Sequence, residues 1–181
     1  MIITISGLPG AGKTSVGKHL AKKLNYKFYS MGDLRGEIAI KKGITINQLN
    51  KLGENESWTD TDVDNYQKEL GNTKDNIIIE GRLSFHFIPN SIKIFLTVDP
   101  TVGATRIFKT KRKDEEQTKT IEELKKQIQQ RIESDKIRYQ KYYQINSYDT
   151  KHYDQIIDTT NISIKQATEQ ILEKIKTKHH N

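Results

Sequence analysis

The chain contains no cysteine in its 181 residues. That absence excludes disulfides and thiolate metal ligands and fits a reducing, intracellular setting. No apolar run approaches the length of about 18 residues that a membrane-crossing helix needs, and the hydrophobic N-terminal stretch runs directly into glycines. Neither a membrane span nor a secretory signal is therefore expected, and the localisation implied is cytoplasmic. Only three prolines occur, with no linker rich in Pro, Gly or Ser and no internal repeat. One domain covering residues 1–181 is expected. Histidine adds no metal site: His19, His86 and His152 have no partner at ligand spacing, and His179 and His180 sit at the extreme end. The single tryptophan, Trp58, and the tyrosines Tyr139, Tyr142 and Tyr143 are read as packing residues. Acidic residues are outnumbered by basic ones, 23 to 30, giving a net charge of +7. Such an excess suits either a nucleic-acid surface or a cleft for polyanionic small molecules. The cleft is favoured because an anion site is already legible, so no obligatory nucleic-acid partner is expected.

That anion site is Gly7-Leu8-Pro9-Gly10-Ala11-Gly12-Lys13-Thr14, followed by Ser15 and preceded by the apolar run Met1 to Ser6. A buried strand, a glycine turn and a helix in this order form a phosphate-binding loop. Its glycines let successive N–H groups turn toward the β-phosphate of a nucleoside triphosphate, Lys13 reaches the β- and γ-phosphates, and the Thr14 hydroxyl suits a magnesium ion. Val16, Leu20, Ala21 and Leu24 then recur at helical spacing, giving the helix a face to lay on a sheet.

Further along, short apolar runs alternate with helical patterns, the signature of a parallel sheet covered on both faces. Strands are predicted at 2–6, 26–29, 76–80, 92–98 and 155–158. Helices are predicted near 13–24, 33–42, 46–52, 60–70, 101–112, 120–144 and 163–177, the last packing through Ile164, Ala167, Ile171 and Ile175. Thr120 and Glu123 spell a capping box at the head of the long helix. The resulting fold class is α/β, a doubly wound sheet of five parallel strands with an insertion near 31–70 and a lid near 107–130. Within the lid region, five of the eight residues Arg106 to Lys113 are basic.

Three segments bear on a second ligand. Ser30, Gly32, Asp33 and Arg35 follow one strand into a helix, at the carboxyl edge where α/β proteins bind ligands. Glu80, Gly81 and Arg82 end another strand at the same edge. Two guanidiniums beside a phosphate loop suit a second phosphate group, since arginine matches phosphate oxygens bidentately; Glu80 is placed to hold a magnesium-bound water. Asp60, Asp64 and Gln67 share one helical face and offer acceptors to an exocyclic amino group such as cytosine N4. Capping by Asp60 and plain solvation of Asp64 remain the alternatives. Arg131 and Arg138 share a face of the long helix and either enter the cleft or pair with the intervening Asp135.

Taken together these motifs resemble the archaeal-type cytidylate kinases, members of the P-loop nucleoside monophosphate kinases. The resemblance runs from Ile-Thr-Ile-Ser-Gly through Ser-x-Gly-Asp-Leu, Asp-x-x-x-Asp-x-x-Gln, Glu-Gly-Arg-Leu and Arg131-x-Glu-Ser-x-x-x-Arg138-Tyr139 to Asp154-x-Ile-Ile-Asp158-Thr-Thr. It implies phosphoryl transfer from ATP, with Mg2+, to CMP or dCMP; a monomer is expected. It also implies that Ser30, Arg35 and Arg82 hold the monophosphate, that Asp60 and Asp64 lie near the base, and that Arg106, Arg131 and Arg138 close over the γ-phosphate. Lys109, Lys111 and Lys113 around Arg112 make the lid unusually lysine-rich for this family. Other readings stay open. A small GTPase would share the phosphate loop, but no Asn-Lys-x-Asp guanine motif occurs. Adenylate or uridylate specificity would change the acceptor, and a nucleotide-gated RNA-binding protein would show steep salt dependence.

Overall fold

The computed structural model describes residues 1–110, 118 and 120–178. Its elements in chain order are β1 (Ile2–Gly7), α1 (Lys13–Leu24), β2 (Lys27–Ser30), α2 (Met31–Lys41), α3 (Ile46–Gly53), α4 (Trp58–Thr73), β3 (Ile77–Glu80), α5 (Ser84–Phe87), β4 (Ile92–Thr97), α6 (Pro100–Thr110), α7 (Ile121–Tyr143), β5 (Gln155–Asp158) and α8 (Ile164–Lys178). The five strands form one parallel sheet in the order β2-β3-β1-β4-β5. Because β1 lies between β3 and β4, the chain reverses its direction of travel beside β1, and the crevice at the strand ends opens where the phosphate loop leaves the sheet. Part of the expected lid, residues 111–117 with Lys111, Arg112 and Lys113, and also residue 119, lies outside the described residues, as do His179 and His180.

Burial on both faces explains the near-continuous apolar strands. Ile3, Ile5 and Ile78 join Val16, Leu20 and Ala21 of α1 and Ala167, Ile171 and Ile175 of α8 in one core layer. Ile77 and Ile79 point the other way, onto Met31, Val63, Leu70 and Ile88. The predicted strands and helices match the observed ones to within about three residues, and three readings depart, one of a helix start and two of burial. Helix α2 begins at Met31 rather than Asp33, because the Ser30 side chain accepts the Asp33 N–H and caps the helix there. Ile164 is not a core residue: it is 47 % exposed, while Ala167, Ile171 and Ile175 carry the α8 contact. Trp58 also departs from its expected packing role. It is 42 % exposed and carries the Lys42 ammonium 4.4 Å above its ring. Thr120 accepts the Glu123 N–H, as its capping pattern predicted.

Two glycines meet where α6 supports the phosphate loop. A Cβ on Gly10 would lie 2.3 Å from the Gly103 carbonyl oxygen, and one on Gly103 would lie 2.9 Å from the Pro9 carbonyl oxygen. Gly10 also has φ of 77°, a region that side chains disfavour. Replacing Gly103 with Ala is thus expected to force backbone apart and cost about 1–3 kcal/mol. Gly32→Ala, whose Cβ meets only the Ser30 hydroxyl at 3.8 Å, is expected to leave the melting temperature equal or higher. A Gly103→Ala protein that melts with the parent would refute this close-packing account.

Candidate active site

The phosphate loop opens into a cleft of about 770 Å3. One end is walled by residues Pro9 to Ser15 of the loop together with Arg106, Thr159 and Ile162; the other runs beneath Met31, Arg35, Val63, Asp64 and Gln67. Lys13 Nζ donates to the Leu8 carbonyl at 2.9 Å, which folds the side chain back across its own loop. Desolvation and then the neighbouring Arg82 guanidinium push the Lys13 pKa down to about 7, against the opposing pull of Glu80. Glu80, at the end of β3, accepts hydrogen bonds on one oxygen from Thr14 Oγ1 at 3.0 Å and Ser30 Oγ at 2.8 Å. The strand register thus brings the loop threonine, the cap of α2 and a carboxylate to one point.

From the phosphate loop a chain of alternating charges crosses the cleft wall. Arg82 Nη1 donates to the Gly7 carbonyl at 3.1 Å, and its Nε donates to Asp135. Asp135 also accepts from Arg138 Nη2 at 2.5 Å and Tyr148 Oη at 2.8 Å. Arg138 Nη1 reaches both oxygens of Asp60, at 3.1 and 3.2 Å, and Asp60 in turn accepts from Arg35 Nη1 at 2.7 Å. Arg35 continues to Asn50 Oδ1 and the Thr59 carbonyl. Arg138 and Asp135 are only 1 % and 2 % exposed. Burial by itself would raise the Asp135 pKa, but Arg82 and Arg138 outweigh it and hold the carboxyl well below the usual range. Three guanidiniums share two carboxylates, and Arg35 Nη2 and Arg138 Nε are buried without hydrogen-bond partners. The wall therefore carries unspent positive charge.

A second polar system lies beside it. Asp64 accepts from Gln67 Nε2 at 3.1 Å and from the Tyr143 hydroxyl, and Gln67 Oε1 accepts from Ser84 Oγ at 2.9 Å. Burial lifts the Asp64 pKa to about 6 despite these donors. At the opposite end, Arg106 Nη2 donates to the Thr159 carbonyl at 2.8 Å, and Nη1 to Thr159 Oγ1 at 3.2 Å.

Of the residues singled out in the sequence, Pro9 to Ser15, Gly32, Arg35, Asp60, Asp64, Glu80, Gly81, Arg82, Arg106, Arg131 and Arg138 all line this cleft. Gly7 contributes a carbonyl to Arg82, and Leu8 one to Lys13. Ser30 stands behind Glu80, and Asp33 is exposed on α2. Asp60 does not cap α4; it lies between two arginines. Sequence reasoning did not assign Thr159, Ile162, Ser163 and Ala167 to one end of the cleft or Asn50 to the other, nor Ser84 and Tyr148 to the hydrogen bonds behind it. For Thr159 a signal existed in the run Asp158-Thr159-Thr160 after the last strand, while the others are brought in only by tertiary packing. Among the described residues no cluster of three or more metal-ligating side chains occurs, and no helix is long and apolar enough to cross a membrane.

Asp135→Asn keeps the shape but leaves two buried guanidiniums short of charge, and is expected to cost about 3–5 kcal/mol in denaturant unfolding. A loss under about 1 kcal/mol, the range of a surface pair, would contradict the buried-chain account. The raised pKa of Asp64 has the opposite sign. Its charge costs stability once the unfolded chain ionises, a cost that builds from pH about 4 to about 6 and is constant above. The melting temperature of Asp64→Asn relative to the parent should therefore rise across that interval, and a flat difference would show that Asp64 titrates normally.

Comparison with known proteins places this geometry. The model of the Cytidylate kinase-like family matches residues 2–161. A cytidylate kinase from Archaeoglobus fulgidus is 35 % identical over 179 residues, covering 98 % of this chain and 96 % of that protein. An S-adenosylmethionine-dependent nucleotide dehydratase from Lacinutrix mariniflava is 34 % identical over 172 residues, which span 94 % of this chain but 35 % of that protein. Among solved structures, shikimate kinase from Bacteroides thetaiotaomicron superposes with a TM-score of 0.67 at 20 % identity, covering 97 % of this chain and 98 % of that one. That likeness establishes the P-loop kinase fold, and with the near-full-length match to the family model it follows that the chain belongs to the cytidylate kinase-like family.

Proposed function

We propose that this protein transfers the γ-phosphoryl group of ATP to CMP or dCMP, yielding ADP and the cytidine diphosphate. The observation that carries the reading is a single cleft with two anion-holding ends. The phosphate loop with Lys13 forms one, and the arginine wall ending at the unpartnered Arg35 Nη2 forms the other. Arg82 belongs to both, through the Gly7 carbonyl and through Asp135. Membership in the cytidylate kinase-like family and the likeness to the Archaeoglobus protein support the choice of acceptor.

In this reading the loop amides and Lys13 hold the β- and γ-phosphates, and Arg106 with Thr159 borders the adenine end. Bound triphosphate restores the positive charge of Lys13 that desolvation and Arg82 weaken. Ser30, Gly32 and Asp33 shape the turn into α2 beside the acceptor, and Arg35, Gly81 and Arg82 hold its monophosphate. Asp60 orients Arg35 and Arg138, while Asp64 lies toward the base. An acceptor phosphate oxygen attacks the γ-phosphorus as the bond to the ADP oxygen breaks, and Arg82, Arg131 and Arg138 stabilise charge spread over the transferring oxygens. The acceptor phosphate is already an anion, so no side chain has to remove a proton. Thr14 Oγ1 and Glu80 Oε2, 3.0 Å apart, form a hard-oxygen pair that fits Mg2+, with Glu80 acting through a water; when bound, the ion would neutralise phosphate charge. Residues 31–70 serve as the acceptor-binding insertion and the region 107–130 as a lid that excludes water.

The deciding assay follows ADP formation from Mg-ATP against CMP, dCMP, UMP, AMP and GMP, with a control lacking acceptor. CMP and dCMP should be the best acceptors, and Lys13→Ala or Arg82→Ala should lose about a hundredfold or more in turnover while unfolding cooperatively. Equal or better use of AMP or UMP would overturn the acceptor assignment, and ADP release independent of acceptor would point to a nucleotide hydrolase.

A further inference from the structure

Asp64, Gln67, Ser84 and Tyr143 form a hydrogen-bonded line from α5 through α4 to α7 that the phosphate chemistry does not use. Its polarity is fixed by elementary constraints. An ionised carboxylate can only accept, so the Gln67 amide must turn its nitrogen toward Asp64 and its oxygen toward Ser84, whose buried hydroxyl then donates. Tyr143 occupies the other Asp64 oxygen as a donor. Asp64 and Gln67 both line the cleft, beside the apolar side chains of Met31, Val63 and Leu83. A planar ring held between those walls would meet an acceptor at Asp64 and, beside it, a donor in the second N–H of Gln67.

We infer that Asp64 and Gln67 read the pyrimidine edge as an ordered acceptor–donor pair, and that Ser84 and Tyr143 are positioning residues that hold that order. This rests on the proposed nucleoside monophosphate reading of the cleft. Cytosine presents an N4 amino donor next to the N3 acceptor and complements the pair at both atoms. Uracil presents O4 and N3–H, which oppose it at both. Discrimination therefore comes from two mismatched contacts rather than from size, since the two bases have nearly the same shape. Asp60, four residues away, differs in its partners: its oxygens are bound by the cations Arg35 and Arg138, whereas Asp64 is held by a neutral amide and a phenol.

The order is reversible in principle. In Asp64→Asn the Tyr143 hydroxyl claims the amide oxygen, so the new amide nitrogen faces Gln67. Gln67 then turns its oxygen toward position 64, and the Ser84 hydroxyl accepts instead of donating. The edge becomes donor–acceptor, the complement of uracil. Asp64→Asn is accordingly expected to lower kcat/KM for CMP by about tenfold or more and to raise it for UMP, with the change carried mainly by KM of the acceptor and KM for ATP held within about threefold. Ser84→Ala takes the donor from the Gln67 oxygen and leaves Asp64 alone to hold the amide, so the CMP-to-UMP ratio should narrow, though by less than in Asp64→Asn. A probe that needs no variant is 3-deazacytidine 5′-monophosphate. It keeps the N4 amino group but lacks the N3 acceptor, and with the parent enzyme its KM should exceed that of CMP by about tenfold or more.

General damage to the site would depress both pyrimidines and would not raise UMP. If the parent enzyme prefers CMP but 3-deazacytidine monophosphate is used as well as CMP, or the variants keep the parent CMP-to-UMP ratio within about threefold, the ordered-pair inference fails and the kinase reading stands. If the parent uses no pyrimidine monophosphate at all, both fall.

Discussion

The buried ladder Arg35–Asp60–Arg138–Asp135–Arg82 is the constraint on which the rest of the site depends. It runs from α2 through α4 and α7 to the end of β3, and touches the phosphate loop at the Gly7 carbonyl. Removing five ionised groups from water is expensive, and mutual attraction offsets that cost only while every member is present. The helices that wall the cleft are therefore held in register by charge as much as by apolar contact. This fits the modest apolar share of the region, where Ala39, Ile46 and Leu49 form only a small cluster. The ladder is also unbalanced, three cations to two anions. Its two unpartnered nitrogens leave it favourable to an anion entering the cleft, so the same feature that ties α2, α4 and α7 together makes the cleft receptive to phosphate.

Much of the architecture was legible because it depends on local pattern. Five apolar runs at a strand's length, each followed by helical periodicity, are enough to specify a parallel sheet covered on both faces, and the observed order agrees. The departures occur where a residue's surroundings outweigh its type. Ile164 continues the α8 stripe in sequence, yet it occupies the first turn at the cleft rim, where the sheet no longer covers it. Trp58 opens α4 beside Lys42, and a cation over its face substitutes for core packing. The start of α2 turned on a cap at Ser30 that periodicity does not register.

The candidate site divides along the same line. Residues 7–15 could be read directly, because a single contiguous stretch builds the whole anion cradle. Arg35, Glu80 and Arg82 could be placed at one sheet edge because each follows a strand. Asp135 was seen only as a neighbour of Arg131 and Arg138 on one helix, and its bond to Arg82 joins segments 53 residues apart. Ser84 gave no sequence signal: it is an ordinary serine four residues after Glu80, and its meaning appears only when α5 is packed against α4.

One helix face carries two polar systems with different hydrogen-bond partners. Asp60 and Asp64 are a single turn apart on α4, yet Asp60 is enclosed by guanidiniums while Asp64 is held by an amide and a phenol. Neutral donors do not compensate burial as arginines do, which is why the Asp64 pKa rises to about 6 while the arginine-bound Asp135 falls. A polyanion needs cations, which attract any phosphate and discriminate poorly among bases. A base edge needs donors and acceptors in fixed order, which a nearby mobile cation would blur. Because the guanidiniums bond to Asp60 and Asp135, the hydrogen bonds at Asp64 come from neutral partners, while the charges of Asp60 and Lys68 act on it only through space. That separation allows one cleft to hold phosphate tightly and still discriminate between two bases that differ by an amino group.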